Sequence, residues 1–481
     1  MAVERDAQRM PTAINGSLEI DVGDHSLDAF LDDDGRAKRT GTMLTASAHI
    51  ITAVIGSGVL SLAWATAQLG WIAGPVVLLI FALITWYCSI MLADCYRSPQ
   101  GKRSYSYKDA VKANLGSVYC NFCGLSQYVN LIGVSIGYTI TTAISMGAIK
   151  KSNCIHRNGH DATCEVSTTT NMIIFAAMQI VLSQLPNFHK ISWLSIVAAI
   201  MSVAYSSIGL GLSVAKIADE GPQARTTLTG VIVGVDVTAT EKLWRTFQSL
   251  GNIAFAYSYS TVLIEIQDTL KSSPPENQVM KKASAVGVST TTMFYMACGL
   301  LGYAAFGNSA PGNFLTGFYE PFWLIDIANI CIVIHLIGAY QVFAQPVYHF
   351  IETWSRNRWP DNRFLTSELV VKVPLMGDVP FSIFRLTWRT LYVVVTAVVA
   401  MIFPFFNDFL GLIGALSFWP LTVFLPVEMY IVRAKIPRFC STWIWLKILS
   451  TICLLVSLVA ACGSVRGLIQ SVQHYQPFES S

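Results

Sequence analysis

Long apolar runs, each bounded by polar segments, recur along the whole chain. The first lies between Arg39 and Asp94, and its only acidic or basic side chain is His49. Its opening half is long enough to cross a bilayer as a helix, which takes about 20 residues. The Gly-Ser-Gly sequence at 56–58 favours a break, because glycine gains backbone freedom outside helical geometry. Unwound backbone at membrane depth is tolerated only inside protein or beside a cavity, so the pattern predicts an interrupted helix at a transport site.

Eleven apolar runs have the length of a membrane-spanning helix. We therefore predict an all-α membrane protein in which residues 40–481 form one transmembrane domain. An acidic tail over residues 1–39 is expected to be disordered, with the run 32–34 (Asp-Asp-Asp) as a solvated stretch. The predicted spans cover residues of about 42–68, 72–96, 119–149, 169–187, 192–215, 243–268, 283–306, 322–352, 386–406, 409–432 and 443–465.

Basic residues give the predicted orientation, because cytosolic loops carry an excess of Lys and Arg. With the N-terminus inside, the inner segments hold 23 Lys and Arg residues and the outer segments hold 7. An odd number of spans then places the C-terminus outside. Charged residues make up only 13% of the chain, and a net charge of +3 gives no reason to expect a nucleic-acid partner. The expected environment is the lipid bilayer; protein partners cannot be inferred.

Two of the eleven cysteines stand apart from the apolar runs. Cys154 and Cys164 share one polar loop that the charge rule places outside, where an oxidising environment permits a disulfide. Two unpaired thiols are the alternative. The other nine lie in or beside apolar spans, where cysteine behaves as a small apolar residue.

Residues 243–268 contain a second interruption. The middle of this span, residues 251–261, mixes Gly, Asn, Ser and Tyr, which compete for backbone hydrogen bonds or pack poorly in a lipid-facing helix. Spans one and six occupy corresponding positions if spans 1–5 and 6–10 form two inverted repeats, with span eleven outside them. Matched interruptions favour a transporter, while a close helix-packing contact is the alternative explanation of the glycines.

Five motifs resemble those of the plant amino acid permeases, which belong to the amino acid/auxin permease family. They lie in the family's order, at residues 47–64 (SAHIITAVIGSGVLSLAW), 91–97 (MLADCYR), 262–269 (VLIEIQDT), 303–307 (YAAFG) and 403–409 (FPFFNDF). The resemblance implies a leucine-transporter type of fold with eleven helices and a cytosolic N-terminus. It also implies proton-driven uptake of amino acids, of a neutral and acidic range, across the plasma membrane. No cofactor other than the coupling proton is implied.

Interrupted helices suit a free amino acid, which presents a carboxylate and an ammonium group. An unwound first helix exposes backbone N–H groups, and its second half begins with the positive end of a helix dipole. We expect the carboxylate to bind at Ile55, Gly56, Ser57, Gly58 and Val59. Carbonyl groups of the second interruption suit the ammonium group, at Ala254, Phe255, Ala256 and Tyr257. Asn252 is a further candidate, although asparagine in a membrane helix is almost as often a helix–helix contact.

Proton coupling needs a group that titrates near working pH. His49 and His335 fall well inside predicted spans, and histidine has an ordinary pKa of about 6.5. We expect both to take part in coupling, and the resemblance supports this because the family carries histidines in these two motifs. A neutral histidine in a helix–helix hydrogen bond is the alternative for each. Asp94 and Glu265 lie near predicted inner ends, where gate or salt-bridge roles are expected, and Asp408 lies toward the outer side.

Sodium coupling is the nearest rival. Sodium sites in this fold use hydroxyl groups of span eight, but residues 331–340 contain no Ser or Thr. An auxin carrier of the same superfamily is another alternative, although its substrate has no ammonium group. A membrane amino-acid sensor would lack a transport cycle. The chain shows no metal-ligand spacing, nucleophile elbow or phosphate loop, so we expect neither a metal site nor an enzyme.

Overall fold

The structure is a computed structural model that describes residues 31–159, 162–184, 192–220, 224–367, 369–373 and 377–474. Residues 1–30 of the predicted tail lie outside the described part of the chain. The helices are α1 (Met43–Val54), α2 (Leu62–Asp94), α3 (Tyr107–Leu115), α4 (Ser117–Asn158), α5 (Thr168–Ser183), α6 (Ser192–Glu220), α7 (Ala239–Ala256), α8 (Ser260–Asp268), α9 (Glu276–Phe306), α10 (Phe322–Arg358), α11 (Arg363–Thr366), α12 (Ile383–Ile402), α13 (Phe406–Ser417), α14 (Leu425–Arg433) and α15 (Ser441–His474). Two strands, β1 (Leu369–Val373) and β2 (Gly377–Phe381), pair as an antiparallel hairpin.

Eight helical segments of the described chain are long and apolar enough to cross a membrane. The helices α1 and α5 are shorter, and α2 runs from the end of the first predicted span through the second, with a kink at Gly70. Gly70 has a φ of +80°, and a side chain there would lie 2.2 Å from the backbone nitrogen of Gly230. Only glycine meets both conditions. The predicted count of eleven spans therefore stays a prediction, while the helical membrane class is confirmed.

The two ends of the bundle differ in their loops. At the disulfide end, Cys154 and Cys164 are bonded, with a Cα–Cα distance of 6.0 Å. At the N-terminal end, the chain before α1 pairs with the chain after α8: the Gly41 N–H donates to the Thr269 carbonyl at 2.9 Å.

Charged side chains tie residues 31–39 to the N-terminal end. Asp33 pairs with Arg97 and Arg103, each at 2.6 Å. Arg39 pairs with Asp34 at 2.7 Å, and the hydrogen bonds from its guanidinium hold the pKa of the Asp34 carboxyl well below its ordinary range. The expectation that the run 32–34 is a solvated stretch is therefore wrong, because Asp32 and Asp34 pair with Arg39 and Asp33 pairs with two arginines of a distant loop. The described part of the expected disordered tail packs on the transmembrane domain.

Three local elements escaped the sequence analysis. The amphipathic helix α3 and the β1–β2 hairpin lie in segments that were read as loops. A π-helical turn, Phe418–Phe424, joins α13 to α14 and contains Pro420, which lacks the N–H needed for a regular helical bond. The carbonyl of Leu421 in this turn accepts a hydrogen bond from the Tyr107 hydroxyl of α3 at 2.7 Å. A side chain of α3 thus bonds to the backbone of this turn.

Candidate functional site

The first interruption lies between α1 and α2. The helix ends at Val54; Ile55 and Gly56 leave helical geometry, with Gly56 at φ −130° and ψ −151°, and a 3₁₀ turn follows at Ser57–Ser61. The N–H groups of Ser57 and Gly58 stand at the start of this turn, where a helix offers them no internal acceptor. A side chain added at Gly56 would meet no atom within 4 Å, so open space adjoins the residue just before these donors.

The second interruption separates α7 from α8. Helix α7 continues through Ala256, and only the segment 257–259 departs from the helix. The expected unwound stretch at 254–257 is therefore corrected: Ala254, Phe255 and Ala256 belong to the last turn of α7, and only Tyr257 lies outside it. They still lie at the carbonyl end of that helix, which carries the negative end of its dipole.

The two interruptions touch each other. An added side chain at Gly58 would lie 2.8 Å from the Cα of Ala256 and 3.3 Å from the ring of Phe255. This close approach of two backbones requires glycine, because a Cβ at Gly58 would overlap the main chain of α7. The donor end of the first interruption therefore meets the carbonyl end of α7.

Tyr295 of α9 joins both interruptions and was missed by the sequence analysis. Its hydroxyl donates to the carbonyl of Val54, and the carbonyl of Ala256 lies 3.1 Å away. The side chain is fully buried. One hydroxyl from a third helix thus holds the carbonyl ends of α1 and α7 together.

Two further tyrosines line the second interruption. The Tyr257 hydroxyl donates to Thr292 at 3.3 Å, and the Tyr259 hydroxyl donates to Ser89 at 2.8 Å. Both rings are buried, and Tyr257 packs edge-on against Tyr295 with centroids 5.3 Å apart. These contacts fix the non-helical segment against α2 and α9.

Asn252 is placed away from the first interruption. Its Oδ1 would lie 2.7 Å from a side chain added at Gly411 of α13, so the carboxamide faces that helix. Both polar atoms of the carboxamide are buried without a hydrogen-bond partner among the described residues. The proposed role of Asn252 as a direct substrate contact is not supported by this placement.

The two candidate histidines have different surroundings. His335 is buried in α10, and its Nδ1 lies 2.9 Å from the carbonyl oxygen of Ala198 in α6. Its ring also packs edge-on against Tyr205 of α6. His49 of α1 is exposed, three residues after the buried Ala46. The two histidines lie on different helices, and no contact among the described residues joins them.

The two candidate gate carboxylates also differ. Asp94 forms an ion pair with Lys281 at 2.7 Å and accepts a hydrogen bond from Asn277. Glu265 is exposed to a cavity of about 440 Å³ at the N-terminal end, which Lys108 and His349 also line. No ion pair of Glu265 occurs within the described chain, so the predicted salt bridge is found for Asp94 and not for Glu265.

The arrangement offers complementary groups for a zwitterion. Open space adjoins Gly56, the backbone donors of Ser57 and Gly58 follow it in the chain, and the carbonyl end of α7 packs against Gly58. A carboxylate is stabilised by N–H groups at a helix start, and an ammonium group by carbonyls at a helix end. The site can therefore hold an amino acid through backbone groups alone.

Comparison with known proteins agrees with this chemistry. The family described as "Transmembrane amino acid transporter protein" matches residues 39–470. Amino acid permease 6 of Arabidopsis thaliana is 66% identical over 468 residues, which cover 96% of this chain and 97% of that protein. Amino acid permease 1 of the same plant is 62% identical over 455 residues, covering 94% of both chains.

A solved structure supports the fold independently. The crystal structure of MhsT in complex with L-phenylalanine matches 89% of this chain and 100% of its own, with a TM-score of 0.56 and 10% sequence identity. At that identity the likeness shows the fold alone, and the predicted leucine-transporter type of fold is confirmed. This chain belongs to the family of transmembrane amino acid transporter proteins, which are multi-pass membrane transporters and not enzymes.

Proposed function

We propose that this protein is a proton-coupled symporter that imports amino acids across the plasma membrane by alternating access. The substrate lies between the interruption at residues 55–59 and the carbonyl end of α7. The observation that carries the proposal is the close contact of Gly58 with Ala256, which places backbone donors beside backbone acceptors. The names of the relatives, amino acid permeases 6 and 1, support amino acids as the substrate class.

The backbone chemistry favours amino acids over an indole acid such as auxin. Carbonyl groups at the end of α7 suit an ammonium group, which auxin lacks. Proton coupling is favoured over sodium coupling because residues 331–340 of α10 offer no hydroxyl side chain other than Tyr340. The Tyr340 hydroxyl is itself engaged with Thr396 at 2.9 Å.

Electrical recording in oocytes tests this function. Adding a neutral amino acid is expected to cause an inward current that is larger at about pH 5.5 than at about pH 7.5. Replacing sodium with choline should leave the current unchanged. A panel of neutral, acidic and basic amino acids then gives the substrate range. A current that disappears in choline would contradict proton coupling, and the lack of any uptake would contradict transport.

The histidine proposal has its own test. His49→Ala or His335→Ala is expected to flatten the pH dependence of the current. His335→Gln is the matched variant, since it retains a side chain that can bond to the carbonyl of Ala198. If both alanine variants keep the wild-type pH profile at equal surface expression, histidine coupling is wrong.

We further propose that the N-terminal end faces the cytosol and the disulfide end faces outward. The excess of Lys and Arg in the loops of the N-terminal end supports this orientation, as does the disulfide itself. A membrane-impermeant thiol reagent should label these cysteines on intact cells only after reduction. The double variant Cys154→Ser, Cys164→Ser should lose the reduction-dependent label. Reagent that reaches them only in opened cells would contradict the orientation.

A further inference from the structure

A polar cavity of about 340 Å³ lies between α7, α13 and α15 at the disulfide end. Its wall carries Glu241, Arg245, Gln248, Asp408, Gly467 and Ser471. It is separate from the first interruption, and α15 belongs to neither predicted repeat. Nothing in the substrate site described above uses these side chains.

Asp408 is a half-buried carboxylate whose hydrogen-bond partners are neutral. The Gln248 amide donates to its Oδ1 at 2.6 Å, and the Ser471 hydroxyl donates to its Oδ2 at 3.0 Å. The charged groups that face the cavity are Glu241 and Arg245 of α7, which pair with each other. No ion pair of Asp408 is found within the described chain, so its negative charge has no dedicated cation.

The Asp408 carboxylate fits against α15 because Gly467 has no side chain. A side chain added at Gly467 would lie 2.2 Å from the Oδ1 of Asp408 and 3.2 Å from the Oε1 of Gln248. Any larger residue there would displace one of the two. Arg466, the neighbouring cation on α15, is exposed and does not line the cavity. The site therefore accommodates an acidic group and keeps the nearest basic residue of α15 away from it.

Buried polar side chains extend from the cavity toward the proposed substrate site. Gln248, Asn252 and Ala256 follow one another at four-residue spacing, so they share one face of α7. Asn252 and Ser464 are both fully buried, and the Asn252 carboxamide and the Ser464 hydroxyl have no partner among the described residues. Both would meet a side chain added at Gly411, at 2.7 and 2.6 Å, so they converge on one point. This face ends at the Ala256 carbonyl that Tyr295 contacts.

We infer that Asp408 is a proton-binding site of the transport cycle, reached from the disulfide end and linked to the second interruption through the Gln248–Asn252–Ala256 face of α7. The inference rests on the proposed function and names a coupling group additional to the histidines. An ionised, half-buried carboxylate among neutral partners is costly, and taking up a proton removes that cost. The protonated carboxyl also becomes a donor, and either the Ser471 hydroxyl or the amide of Gln248 can turn to accept from it.

Transport assays on purified protein in proteoliposomes distinguish proton coupling from substrate binding. With an inward proton gradient, the wild type is expected to accumulate labelled amino acid, and without a gradient it should exchange internal for external amino acid. Asp408→Asn should lose gradient-driven accumulation to background and keep exchange. Asp408→Glu, which retains a titratable group, should restore part of the accumulation and a pH dependence.

Asp326→Asn is the matched control. Asp326 is also a half-buried carboxylate at the disulfide end, and the Asn153 amide donates to it at 2.6 Å, but it lies on α10 away from this face of α7. It should keep both accumulation and exchange. The inference is overturned if Asp408→Asn accumulates substrate as the wild type does, or if it loses exchange and accumulation together. Failure of the wild type itself to accumulate substrate would instead contradict the proposed function.

Discussion

The two helix interruptions meet at one point but are built in opposite ways. The first depends on missing side chains: Gly56 adjoins open space, and Gly58 packs against the backbone of α7. The second depends on large side chains, since Tyr257, Tyr259 and Tyr295 are buried and hydrogen bonded around it. The first interruption presents donors, and the second presents acceptors that are already partly satisfied.

We therefore assign recognition of the substrate to the first interruption and structural support of the site to the second. The proposed substrate site needs space and free donors, and the glycine interruption is the candidate for both. The second interruption is held in place, because its tyrosine hydroxyl groups form hydrogen bonds to α2 and α9. Changes at the glycines are therefore expected to abolish transport, while removal of a single tyrosine hydroxyl should weaken it.

The largest effect is expected for substitutions at the first interruption. Gly58→Val forces a Cβ to within 2.8 Å of Ala256, and Gly56→Val fills the space where substrate is proposed to bind. Uptake should fall to background for both, at normal surface expression. Gly211→Val in α6, where a side chain meets no atom within 4 Å, is the control and should retain uptake. Unchanged KM and rate for both variants would remove the first interruption from the substrate site.

An intermediate effect is expected for Tyr295→Phe. The change keeps the ring but removes the donor to the carbonyls of Val54 and Ala256. An unsatisfied buried polar group costs roughly 1–3 kcal/mol. Apparent substrate affinity should fall about tenfold, which corresponds to about 1.4 kcal/mol. The comparison is Tyr303→Phe on the same helix, whose hydroxyl bonds only loop groups at the disulfide end, and its KM should stay as in the wild type.

The smallest effect is expected for Tyr257→Phe. Its hydroxyl bonds to Thr292 at 3.3 Å, at the long end of the hydrogen-bond range. A typical neutral hydrogen bond contributes about 0.5–1.5 kcal/mol, and this one should lie at the low end. Uptake kinetics should reveal a KM change of only about twofold to threefold. A loss as large as that of Gly58→Val would mean that the Tyr257 hydroxyl contacts substrate directly.

Both interruptions could be located from composition, because Gly, Ser, Asn and Tyr are conspicuous inside long apolar runs. The end of α7 was misplaced by a few residues, since Ala254 and Phe255 are compatible with either a helix or a break. Tyr295 could not be found in this way. It lies in an unremarkable apolar helix, and its partner Val54 is 241 residues away in the chain.

Charged contacts were the least predictable part. The run 32–34 looked solvated partly because Arg97 and Arg103, the partners of Asp33, lie in a loop far along the chain. Asp408 could be assigned to the outer side from its place in the sequence, but its amide partner Gln248 lies 160 residues earlier in the chain. Local patterns predict which segments are helical, whereas side-chain pairing depends on how those helices pack.

The most direct test of the substrate site is protection of Gly56→Cys from a thiol reagent. The exposed or partly exposed thiols of Cys462 and Cys440 are first replaced by serine. Because the added side chain faces open space, it should react readily, and a saturating amino acid should slow that reaction strongly. Gly211→Cys serves as the control and should react at the same rate with and without substrate. Equal rates at Gly56→Cys with and without substrate would contradict the placement of the amino acid at the first interruption.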